Sequence, residues 1–92
     1  SAAQAYVRSH SALSDFILEL PITSGEYART RAVPSRPGDP AVWVYLVRQG
    51  AYWQGLTMGA SLPSGACEIF GIPPALCVTT PATAAGQAPG PR

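Results

Sequence analysis

The part of the chain that most constrains its fold is residues 42–58. Val42-Trp43-Val44-Tyr45-Leu46-Val47-Arg48 is dense in β-branched and aromatic residues, Gln49-Gly50 supplies a tight turn, and Ala51-Tyr52-Trp53-Gln54-Gly55-Leu56-Thr57-Met58 returns. This is the pattern of a β-hairpin, and Gly55 inside the returning strand signals a bulge or a close backbone approach. Upstream, Tyr27, Arg29, Arg31 and Val33 alternate with Ala28, Thr30 and Ala32, the period of a third strand. The cluster Pro34-Ser35-Arg36-Pro37-Gly38-Asp39-Pro40 between them reads as a loop.

Residues 2–20 contain neither Gly nor Pro, and Leu13, Phe16, Ile17 and Leu20 recur at the spacing of one helical face. The spacing predicts a long N-terminal helix ended by Pro21, because the residue before a proline is disfavoured in the α region. The fold class expected is α+β: this helix packed on a three- to four-stranded antiparallel sheet, with a C-terminal disulfide-bounded loop. Within that loop one helical turn is expected near Ala66–Phe70 and a short strand near 76–79. Residues 1–79 form the single expected domain, and 80–92, rich in Pro, Gly and Ala, are expected to be a disordered tail.

Cys67 and Cys77 enclose nine residues, and an even pair this close in a 92-residue chain reads first as a disulfide. Such a bridge points to export: extracellular, cell-surface or periplasmic. Zinc finds no ligand set, since His10 lies far from both cysteines with no paired-ligand spacing.

Catalytic residues and cofactors are not expected. His10 is the only histidine and has no defined relation to an acid and a nucleophile. Among the acids only Asp15 and Glu19 stand at i and i+4 on the expected helix, where a solvated edge is the simpler reading. No glycine-rich phosphate loop is present. With a net charge of +1 and only 12% charged residues, no basic field exists to hold nucleic acid. The longest apolar run, residues 41–47, is far short of the roughly 20 residues of a membrane span.

What remains is contact with other proteins. Trp43, Tyr45, Tyr52 and Trp53 crowd the hairpin, and large aromatics dominate interfaces as well as cores. In an alternating strand, Val42, Val44 and Leu46 would form the core side and leave Trp43 and Tyr45 partly exposed. The expected interaction residues are therefore Trp43, Tyr45, Tyr52 and Trp53, joined by Phe70 in the cysteine ring.

Two family resemblances follow from these residues. Ile72-Pro73-Pro74 before Cys77 resembles the reactive loop of Bowman–Birk protease inhibitors, with Phe70 near the specificity position; the ring here is larger, and Gly71 would loosen it. More of the chain is similar to the soluble head of type IV pilins and type II secretion pseudopilins, in its element order and in Leu62-Pro63-Ser64-Gly65-Ala66-Cys67, similar to a segment of some type IVb pilins. That resemblance implies a structural subunit of a surface filament or secretion pseudopilus, other pilin subunits as partners, and membrane attachment only through an upstream helix absent from these residues. The alternatives are a secreted or periplasmic binding module and, behind it, the protease inhibitor.

Overall fold

In the computed structural model, which describes residues 1–13 and 15–85, the period-two segments dominate. The elements are α1 (Ala2–His10), β1 (Phe16–Leu18), β2 (Ile22–Ser24), β3 (Tyr27–Pro34), β4 (Val42–Gln49), β5 (Tyr52–Gly59), α2 (Ala66–Phe70) and α3 (Ala82–Ala85). The five strands make one antiparallel sheet in which β1 and β2 both pair with β3, followed by β4 and β5.

The long helix is not there. The fold is mostly β, a five-stranded antiparallel sheet with a nine-residue N-terminal helix, which corrects the expectation of a long helix laid on three or four strands. The reason is local. Ser1 caps the start of α1, its Oγ accepting from the Gln4 amide at 3.2 Å. At the other end Ser9 and Ser11 donate their hydroxyls to the carbonyls of Ala5 and Val7, and Ser11, whose backbone is extended, accepts the Leu13 amide on its Oγ. Short hydroxylated side chains compete with the helix for its own backbone groups. The chain then enters β1, where Phe16 and Leu18 face inward and Ile17 is 68% exposed.

Pro21 has a different role from the expected helix stop. Leu18 pairs with Ala32 and Ile22 with Arg29, so Glu19, Leu20 and Pro21 span only Thr30 and Arg31. That extra residue is a bulge that splits one edge strand into β1 and β2. Leu20, at its apex, is 91% exposed rather than part of a core stripe. Asp15 and Glu19 accordingly share no helix.

Register assigns the faces. On β4, Val44 and Leu46 join Val7, Ala28 and Ala32 in one buried cluster, while Trp43 and Tyr45 join Cys67, Ile72, Leu76 and Ala82 in another. The sheet is thus covered on both sides. On the α1 side Ala28, Ala32 and Gly55 are small, which lets the helix approach: Tyr6 sits over Gly55, and Val7 is fully buried. Burying that valine contributes about 1.5–3 kcal/mol. The expected irregularity at Gly55 is real in both senses, since the β4–β5 register also shifts opposite Tyr45 and Leu46.

On the other side, residues 76–83 cross the sheet as a strap. The expected strand near 76–79 does not form; no ladder includes these residues, and side chains from the sheet take their backbone groups instead. The domain also extends past 79, because Ala82 is fully buried and residues 82–85 are helical. The remainder of the expected tail, 86–92, lies outside the described residues.

Candidate interaction surfaces

Cys67 and Cys77 are joined, with their Cα atoms 6.1 Å apart. The bond closes a ring that begins with α2, entered through Gly65 and left through Gly71, both in the left-handed region. This is the helical turn expected at Ala66–Phe70. Gly71 is needed for its backbone and for space, since a Cβ there would stand 3.0 Å from the Tyr27 hydroxyl. Ala66 and Cys67 point inward, and Ile69 and Phe70 are 79% and 37% exposed.

The hairpin aromatics separate into two groups. Trp43 and Tyr45 are buried, correcting the expectation that they remain partly exposed. The Trp43 indole N–H donates to the Thr80 carbonyl at 2.9 Å, and the Arg29 guanidinium lies 5.1 Å from its ring centroid. Tyr45 donates its hydroxyl to the Leu76 carbonyl at 2.8 Å and accepts the Val78 amide at 3.1 Å. Both anchor the strap. Trp53 is half-buried in the α1-side cluster, and only Tyr52, at the hairpin end, stands 77% exposed. Trp43, Tyr45, Tyr52, Trp53 and Phe70 therefore form no common surface.

Two arginines complete the strap's anchorage. Arg29 donates to the Leu76 carbonyl at 2.9 Å, and Arg31 to the Ala82 carbonyl at 2.9 Å and to the Glu19 carboxylate. Arg31 is 9% exposed, and its Nε has no partner among the described residues. Their place on the same strand face as Tyr27 and Val33 was legible from alternation; their inward direction was not. A burial signal did exist in the next strand, where the uninterrupted apolar run of residues 41–47 suits a strand covered on both faces.

His10 is exposed, stacks on Tyr6 with ring centroids 4.2 Å apart, and donates Nδ1–H to the Tyr6 carbonyl. Near the hairpin end Glu26 and Arg48 form an exposed bidentate pair, with oxygen–nitrogen distances of 2.8 and 3.2 Å. The hydrogen bonds from Arg48, then its charge, hold the Glu26 carboxyl below its ordinary range. On the α1 side an apolar cavity of about 330 Å³ opens between the first turn of the helix and Leu18, Ala28, Leu46 and Trp53. No helix among the described residues is long and apolar enough to cross a membrane.

Comparison with family models, curated proteins and solved structures finds no match to this chain.

Proposed function

We propose that this chain is a non-catalytic, exported interaction domain that meets a protein partner through the disulfide-held turn at Ala66–Phe70. The observation that carries the reading is the exposure of Ile69 and Phe70 on a short element whose backbone is fixed on both sides. Large apolar groups held in one geometry lose little entropy on contact, and such groups supply most interface energy. The Cys67–Cys77 bond supports an oxidising compartment.

Of the readings weighed from the sequence, this one is the alternative of a secreted or periplasmic binding module. The pilin resemblance rested on an element order that begins with a long N-terminal helix; α1 is short, and Val7 and Tyr6 seat it on the sheet. The inhibitor needs an extended loop at Phe70, where the backbone is helical.

A photoreactive residue at position 69, introduced in the organism that makes the protein, tests the proposal against the same residue at exposed Arg36. A discrete protein adduct from 69 and none from 36 is expected. No adduct at 69, or the same adduct from both positions, would overturn it.

A further inference from the structure

The two edges of the sheet differ in kind. At one edge β1 and β2 are three residues each, separated by the bulge at Glu19, Leu20 and Pro21. Short strands, a proline and a charge at the break are the devices that keep an edge from pairing with another chain. The other edge is β5, eight residues long, with no proline and no Asp, Glu, Lys or Arg. Beyond its ladder with β4, no described residue donates to or accepts from the backbone of residues 52–59. Helix α1 packs on one face of β5.

We propose that β5 pairs antiparallel with β5 of a second copy of this chain, making one continuous ten-stranded sheet across a two-fold axis. Unpaired backbone donors and acceptors along a strand select another strand. The second copy is favoured for three reasons. With no charge on β5, self-pairing sets no like charges opposite one another. The blocked β1–β2 edge cannot receive a β5 edge, so head-to-tail growth is closed and only the two-fold contact remains. The side chains also match. The bulge at Gly55 and Leu56 reverses the facing of the strand midway: Tyr52 and Gln54 share the Tyr45 face with Thr57 and Gly59, while Trp53 and Met58 share the opposite face. Full overlap of two antiparallel β5 strands therefore sets Tyr52 across from the partner's Gly59, Trp53 from the partner's Met58 and Gln54 from the partner's Thr57, each pair on one face. The exposed Tyr52 ring gains cover over a glycine, and Trp53 gains a thioether contact. This contact is separate from the α2 turn.

The test is sedimentation equilibrium of the intact chain from micromolar to millimolar concentration, with amide hydrogen exchange across the same range. A dimer is expected, with amides of β5 gaining protection as concentration rises. Gln54→Lys/Thr57→Lys sets lysine against lysine twice and should weaken the dimer at least about tenfold. Gln54→Lys/Thr57→Glu sets lysine against glutamate in the proposed register and should restore it. Ile69→Ser should leave it unchanged. A monomer at millimolar concentration, or a dimer without concentration-dependent protection in β5, would overturn the proposal.

Discussion

The ring of Tyr6 rests against the backbone of Gly55, so closely that a Cβ on residue 55 would fall inside the ring. Helix α1 and strand β5 are thus in contact through the absence of a side chain, and this fixes how near the helix can lie to the sheet. Gly55→Ala is expected to destabilise by about 1–3 kcal/mol through overpacking. In a Tyr6→Ala background the same change should cost nothing or stabilise, because alanine suits a strand better than glycine. Urea unfolding of the four proteins measures the coupling.

The same sheet face should answer in the opposite sense at Ala28. Its side chain is 4% exposed and lines the apolar cavity beside α1. Ala28→Val adds two methyl carbons where there is room and gives β3 a β-branched residue. A gain of about 0.5–1 kcal/mol is expected from denaturant midpoints.

Tyr45→Phe removes one donor and one acceptor from a fully buried site. The Leu76 carbonyl keeps Arg29 as a donor, so the group left unsatisfied is the Val78 amide. The expected loss is about 1–2 kcal/mol. Arg29→Met alone should be mild and the double variant more costly than the sum, which chemical denaturation can resolve.

Opening the Cys67–Cys77 ring should cost about 2–3 kcal/mol on the chain-entropy estimate. For a domain of this size that lowers the melting temperature by about 10–20 °C. Thermal melts of the reduced protein and of Cys67→Ala/Cys77→Ala are expected to agree with each other and to lie below that of the oxidised protein.

Glu26 titrates below the ordinary carboxylate range because Arg48 bonds its ionised form. A lowered folded value means that the pair's contribution is present above the unfolded value and fades as pH falls through the folded one. Since both groups are exposed, salt should screen the effect. An NMR titration should place the Glu26 inflection below that of a free glutamate, and Arg48→Gln should return it to the ordinary range.

The hairpin, the alternation in β3, the disulfide and the turn at α2 were legible because each depends on neighbours in sequence. The N-terminal region misled for a physical reason. Leu13, Phe16, Ile17 and Leu20 fit a helical stripe by spacing, yet Phe16 and Leu18 also fit a strand, and Ser9 and Ser11 carry hydroxyls that favour an early helix end. Nothing local decides between those periods; pairing with β3 does. Trp43 and Tyr45 misled differently: their burial depends on a strap more than 30 residues downstream. The candidate contact at Ile69 had no sequence signal beyond an apolar residue in a ring.

That strap also sets an order of events. Arg31 waits for the carbonyl of Ala82, Trp43 for that of Thr80 and Tyr45 for that of Leu76, separations of 51, 37 and 31 positions. As the chain leaves the ribosome, the hairpin can assemble and receive α1 while its other face is still wet. Only when residues 76–83 arrive do these donors exchange water for carbonyls, and long-range closure of this kind is slow compared with hairpin formation. The half-covered sheet is the species exposed to other chains in that interval, and the arrival of residues 76–83 decides when it ceases to exist.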